Sequence, residues 1–265
     1  MDYPGLFLAT AALALGAVLL LWLLSIPLRD VSIIDMAFAG ILAGIAVLAY
    51  VLADTIAPLQ LMLLGMVLAW ALRMSAHLLR RNWGHGEDPR YARLRTWVDN
   101  DRAFIWLSLR QVFLLQGVVI WLVALPLQVG MLAPADTTPG ALAWAGLALW
   151  ATGLAFETVA DWQLTQFRAD PSRRGTVLDT GLWRYSRHPN YFGELCVWWG
   201  IFLVACQAPW GFATIIGPLA YSHLVVNVTG QRTLDKKMAR EKPAYRQYMA
   251  VTSGLIPLPP RRPGA

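Results

Sequence analysis

Charge is scarce in this chain: only 14% of its 265 residues are Asp, Glu, Lys or Arg, whereas 57% are apolar and thirteen are tryptophan. Soluble domains carry about 25% charged residues, so the composition excludes one and points to an integral membrane protein. Cysteine is scarcer still. Cys196 and Cys206 fall in one apolar run, about 15 Å apart along a helix, which excludes a disulfide between them and leaves apolar packing as their role. The four histidines, at 77, 85, 188 and 223, lack the paired spacing of a zinc site, and no haem arrangement is present. Gly-x-Gly-x-x-Gly is absent as well, so no Rossmann cofactor domain is expected. Without a repeat, low-complexity tract or linker, residues 1–265 read as a single transmembrane helical domain.

What the chain does have is apolar runs of bilayer-crossing length, about 20 residues each. They fall near 5–27, 31–53, 57–79, 103–127, 140–163, 190–207 and 211–229, which predicts an all-α protein of seven transmembrane helices with a tail at 230–265. The first run follows Met-Asp-Tyr-Pro-Gly, without a basic leader, and is expected to be a retained helix. Orientation comes from the Lys and Arg residues, because positive loops stay cytoplasmic. With the N-terminus periplasmic, every Lys and Arg outside the spans lies at 28–30, 80–102, 164–189 or 230–265, on the cytoplasmic side. The outer segments carry only Asp2, Asp54 and Asp136 as charges. The net charge of +6 is spread among membrane-proximal loops and interleaved with acids, which fits topology and anionic lipid contact and disfavours nucleic acid. The proline-rich end, 256–265, is expected to be a frayed tail.

Ionisable groups inside a bilayer are costly and mark functional sites by default. Here they are Asp35, Arg73, His77, Arg110, Glu157, Asp161 and Glu194, all in the cytoplasmic halves of their spans or close to the cytoplasmic ends. Arg73 and His77, Glu157 and Asp161, and Asn190 and Glu194 are each i, i+4 pairs, so each pair shows one face of its helix. Arg168, seven residues beyond Asp161, continues that face. A polar pocket open to the cytoplasm satisfies all of them; ion pairs that hold the bundle together are the structural alternative.

The stretch GLWRYSRHPNYFGE, residues 181–194, opens the sixth span. Ser186 suits an N-cap and Pro189 the first helical turn. The helix start therefore offers free N–H groups beside Arg184, Tyr185, Arg187, His188 and Tyr191, an arrangement that binds phosphate or carboxylate, or that meets lipid phosphates. A second basic and aromatic loop, Arg80 to Arg95, faces the same side and suits either a phosphate with a flat ring or an interfacial amphipathic segment.

With these residues in view, the segments AFETVADWQLTQFRAD (155–170), GLWRYSRHPNYFGELCVWWG (181–200) and PAYRQYMAVTSGLIPLPPR (243–261) resemble the bacterial membrane-protein branch of the steroid 5-alpha-reductase-like family; WALRMSAHLLRRN (70–82) extends the likeness weakly. The resemblance implies a helical bundle holding NADPH in a cavity open to the cytoplasm, with hydride passing to an enone carbon–carbon double bond. The family's Asn-x3-Asp-x6-Arg falls on Glu157, Asp161 and Arg168, its Asn-x3-Glu on Asn190 and Glu194, and an arginine of the third span on Arg73. Glu157 replaces asparagine, the Gln-Glu pair that grips the steroid ketone has no counterpart beyond Asp35, and Trp70 stands where the ketone-polarising tyrosine is found. RHPNYFG also resembles the Arg-His-Pro-x-Tyr-x-Gly signature of membrane methyltransferases that use S-adenosylmethionine, although their Glu-Glu pair after the last span reads Gln231-Arg232 here.

The expected function is therefore an NADPH-dependent reductase of the bacterial inner membrane, acting on a polarised double bond in a lipophilic substrate that enters from the bilayer. Asp161, Asn190 and Glu194 are expected at the nicotinamide ribose and amide, and Arg168, Arg184 and Arg187 with the helix start at phosphates; Glu157, Tyr185, His188 and Tyr191 are expected among the cofactor-binding residues, and Asp35, Trp70, Arg73 and His77 at the electrophilic end. A methyltransferase and a non-enzymatic membrane protein are the alternatives, and oligomeric state is left open.

Overall fold

The computed structural model describes residues 2–84, 86–228 and 230–261. Every regular element among the described residues is helical: α1 (Tyr3–Leu28), α2 (Ile33–Leu52), α3 (Pro58–Asn82), α4 (Pro89–Arg95), α5 (Asp101–Ser108), α6 (Leu115–Val123), α7 (Leu125–Gly130), α8 (Ala141–Ala169), α9 (Pro189–Ala205), α10 (Ile216–His223), α11 (Gln231–Glu241) and α12 (Pro243–Val251). A π-helical stretch, Leu109–Leu114, joins α5 to α6, and another, Leu224–Val228, follows α10.

Among the described residues six helical runs are long and apolar enough to cross a bilayer: Tyr3–Leu28, Ile33–Leu52, Pro58–Asn82, Asp101–Val123, Ala141–Ala169 and Gly211–Glu241. The sixth expected run, 190–207, is α9, which at 17 residues is shorter than all of these. The fifth expected run, 140–163, extends to Ala169, so Glu157, Asp161 and Arg168 share one unbroken helix. In the last run the apolar part ends at Val228, because Gln231–Glu241 reads QRTLDKKMARE, a sequence too charged to stay in hydrocarbon.

By its contacts the chain divides into two compact units. One holds the residues up to Ala143 together with Ile201–Gly217, the other Trp144–Gly200 together with Pro218 onward. In the first, α1, α2 and α3 pack as neighbours, with α6 and α7 against them. Gly117 lets α6 approach α1 closely, since a Cβ there would lie 3.2 Å from Val18 Cγ2. Polar groups tie these helices where no water is at hand: the fully buried Thr10 hydroxyl donates to Gln128 Oε1 at 2.8 Å, and Gln128 Nε2 donates to the Trp121 carbonyl at 3.0 Å. The second unit is built on α8 and α9 with α10, α11 and α12.

The expected frayed tail is ordered as far as Arg261. Leu258 N donates to the Tyr185 carbonyl at 3.0 Å and Arg261 N to the Val251 carbonyl at 2.8 Å, so backbone pairing fixes what its prolines alone would leave loose. The remainder, 262–265, lies outside the described residues.

Candidate functional site

The polar stripes of the second unit meet because glycine lets two helices touch. Gly146 and Gly153 on α8, and Gly193 and Gly200 on α9, are each seven residues apart, two turns along one face. A Cβ at Gly153 would lie 2.5 Å from the Gly193 carbonyl oxygen, and one at Gly200 would lie 2.6 Å from that of Gly146. The helices thus run antiparallel in backbone contact, with Phe156 and Phe192 edge to face at 5.2 Å beside the seam. One turn farther along this seam, α8 brings Glu157 and Asp161 against Asn190 and Glu194 of α9.

Glu157 is 1% exposed and Asp161 7%. Asn190 Nδ2 donates to Asp161 Oδ1 at 3.1 Å, and this bond sets the amide's orientation. Asn190 Oδ1 is then left buried and without a hydrogen-bond partner among the described residues, an acceptor that a bound donor would satisfy. Glu194 accepts a hydrogen bond from the buried Tyr221 hydroxyl, and Tyr221 packs edge to face on Trp198 at 5.9 Å. Tyr191 reaches the turn after the second π stretch, where a Cβ on Gly230 would lie 3.1 Å from its ring. π turns recur at functional sites.

The segment before α9 is organised as a clamp. Ser186 Oγ accepts from His188 N at 3.1 Å and donates to the Leu255 carbonyl at 2.8 Å. Because α9 starts at Pro189 and the His188 carbonyl accepts from Phe192 N, His188 holds the N-cap position that the sequence suggested for Ser186, whose hydroxyl closes a turn ahead of the helix. Arg187 Nη2 donates to Asp235 Oδ2 at 2.8 Å and its Nη1 to the Thr252 carbonyl at 2.6 Å. His188 Nε2 lies 2.9 Å from Asp235 Oδ1, which also accepts from the Tyr245 hydroxyl at 2.6 Å. Burial alone would raise the Asp235 carboxyl; hydrogen bonds from His188, Arg187 and Tyr245 outweigh it and hold the group well below the usual carboxylate range. The Tyr248 hydroxyl closes the clamp by donating to the Trp183 carbonyl, and the His188 ring stacks on Tyr191 at 5.3 Å. Arg187 and His188 therefore face α11 and the tail, whereas Arg168, Arg184 and Tyr185 are exposed.

The other expected site residues belong to the first unit. Asp35 accepts from Arg90 Nη2 at 2.7 Å, from the Tyr91 hydroxyl at 2.8 Å and from Gln116 Nε2 at 3.3 Å. Glu87 accepts from Val31 N at 3.0 Å and pairs with Arg95 at 2.7 Å. Arg90, through Asp35, and Glu87, through Val31, thus strap the loop to the start of α2. On α3, Trp70 is fully buried, Arg73 Nη1 lies 3.9 Å from Met74 Sδ, and His77 is half-buried. Sequence reasoning missed Tyr91, Gln116, Tyr221, Asp235, Tyr245 and Tyr248. The seven-residue glycine spacing on both helices was the one visible sign of how the site is assembled.

Comparison with known proteins places the chain in a family: residues 21–252 match the family described as "Protein of unknown function (DUF1295)". The chain belongs to this family, which is associated with steroid 5-alpha-reductase-like proteins. It is also similar to a Schizosaccharomyces pombe protein described as uncharacterized, 27% identical over an alignment of 267 positions that covers 89% of this chain and 75% of that protein. No solved structure matches.

Proposed function

We propose that this is a membrane reductase that binds NADPH from the cytoplasm and reduces a polarised double bond in a lipophilic substrate. The observation that supports this reading best is the buried, unpartnered Asn190 Oδ1, held in place by the Asp161 hydrogen bond. A nicotinamide carboxamide carries the N–H donor that such an acceptor lacks, and ribose hydroxyls suit Asp161 and Glu194. The exposed Arg168, near the end of α8, and Arg184, in the segment that leads into α9, are suited to phosphates. When bound, NADPH supplies the hydride; this chain's own residues orient it and keep water out. Arg187 and His188 serve here by fixing the entry to α9 through Asp235.

In this reading α9 is a seventh crossing. Its 17 residues reach about 26 Å at 1.5 Å each, close to a hydrocarbon core of about 30 Å. Seven crossings put every loop arginine and lysine on the side of the C-terminal tail, the cytoplasmic face of a bacterial inner membrane.

A second reading rests on a specific observation. Glu157, Asp161 and Glu194 bring three acids to one seam, and Arg187 and His188 at the start of α9 are engaged with Asp235. An acid-rich site suits the sulfonium and ammonium groups of S-adenosylmethionine, in a methyltransferase. Thermal unfolding of the detergent-purified protein with NADPH, NADH or S-adenosylmethionine separates the two, because a ligand of the native state raises stability by about 2.7 kcal/mol at a hundred times its Kd. The reductase reading expects the largest rise with NADPH and its loss in Asp161→Asn. A larger rise with S-adenosylmethionine rejects it, and no rise with any of the three favours a non-enzymatic membrane protein.

A further inference from the structure

A cavity of about 390 Å³ lies against the last turns of α8, lined by Trp162, Gln163, Gln166, Phe167, Arg173 and Thr180 among others. At 3.6 residues per turn, Gln163 and Gln166 point roughly 140–160° away from Asp161. The cavity is therefore on the opposite side of the helix from the buried carboxylates and distinct from the site above.

Its hydrogen-bonding inventory is lopsided. Gln163 Oε1 is spent on Leu182 N at 3.0 Å, which leaves its NH2 group as a spare donor beneath Gly181. Gly181, at φ +62, lies in the left-handed region that favours glycine, with Gln163 Nε2 only 2.4 Å from where a Cβ would be. Arg173 pairs with Asp170 through Nε at 3.2 Å, and its side chain is half exposed. Asp170, the carboxylate on the rim, already accepts from Ser172 N at 2.9 Å and Ser172 Oγ at 2.7 Å. Gln166 and Thr180 bring donors and acceptors alike, so the Gln163 NH2 group and the Arg173 guanidinium tip the balance toward donors, which suits a group rich in oxygen lone pairs.

Position says where that group comes from. α8 is one of the candidate membrane crossings, and the cavity sits where it turns polar. Trp162 is 59% exposed at the rim, as tryptophans are at the membrane–water boundary. Phe167, with the Arg173 guanidinium 5.8 Å above its ring, supplies an apolar wall beside the donors. A free phosphate has no use for that wall; a glycerophosphate headgroup does. We infer that this cavity is a phospholipid site in which Arg173 and the Gln163 amide hold the headgroup phosphate.

The test uses the full chain in non-ionic detergent, with thermal stabilisation measured against added phosphatidylglycerol, against inorganic phosphate, and in Arg173→Ala and Arg174→Ala. Both arginines are exposed, and Arg174 does not line the cavity. Phosphatidylglycerol is expected to stabilise the protein, with half-saturation shifted about tenfold upward in Arg173→Ala and unchanged in Arg174→Ala. An equal response to inorganic phosphate overturns the lipid assignment. Equal losses in both variants reduce the effect to surface charge, and an undiminished response in Arg173→Ala, or none in the unaltered protein, overturns the site.

Discussion

A Cβ on Gly193 would lie 2.5 Å from the Glu157 amide nitrogen, so α8 and α9 touch backbone to backbone beside the buried carboxylate. The obstacle is main chain, which cannot rotate away. Gly193→Ala is therefore expected to force the helices apart and cost about 1–3 kcal/mol, with Gly153→Ala behaving alike. Gly16→Ala and Gly65→Ala, whose added methyl groups meet nothing within 4 Å, set the reference. They should be neutral or slightly stabilising, since alanine is the better helix former. Thermal midpoints of the four variants in one detergent check the contrast; equal effects at all four would mean that the seam carries no special packing.

Asp235 is the hub of the clamp, with Arg187, His188 and Tyr245 all directed at its carboxylate. Removing one partner of a buried charge pair costs about 3–5 kcal/mol, because the other is left uncompensated. Asp235→Ala should thus lower stability more than truncation of any exposed acid. The pH dependence has a definite sign. The folded carboxyl sits below its usual range, so its contribution is complete above about pH 4, the unfolded value, and fades as pH falls further. Acid titration of the thermal midpoint should be shallower in Asp235→Asn than in the unaltered protein.

The alkaline side behaves in the opposite sense. Burial, reinforced by the neighbouring Asp235 carboxylate, pushes the Tyr245 hydroxyl far above its ordinary value; burial also raises Tyr248. Unfolded tyrosines ionise near pH 10, whereas these two keep their protons in the folded chain. Their stabilisation is therefore present below about pH 10 and is lost as pH rises beyond it. Tyrosinate absorbance should show phenols that ionise only as the protein unfolds, with one fewer in Tyr245→Phe.

What the sequence disclosed was periodic and local. Glu157 and Asp161, and Asn190 and Glu194, could be set on helix faces because four residues make about one turn, and the Asp161–Asn190 hydrogen bond joins two of those faces. The cap expected at Ser186 falls two residues later: α9 starts at Pro189, so His188 and not Ser186 holds that position. Asp235 was not legible: its bonds to Arg187 and His188 span 48 and 47 residues, and no periodicity reports which charged helix of a tail turns back upon a loop. The same distance in sequence hid the partnership of Glu194 with Tyr221 and that of Asp35 with Tyr91 and Gln116. Crossing number was limited by length alone, as 17 residues stand at the edge of what spans a bilayer.

Asp35 connects the first of these lessons to a last measurement. A carboxylate one turn into an apolar helix reads as functional in isolation, yet here it accepts from Arg90, Tyr91 and Gln116 and thereby fastens the loop that follows α3 to the start of α2. Arg90 is half exposed and loses little when released into water, but Tyr91 is buried and keeps only Gln116 as a partner. Asp35→Ala is therefore expected to cost about 1–3 kcal/mol and to expose the loop, with Asp35→Asn milder because an amide oxygen still accepts. Limited proteolysis at the arginines of residues 83–95, compared between the two variants, measures the release. A loop equally resistant in both would show that Glu87, through Val31 and Arg95, holds it without help from Asp35.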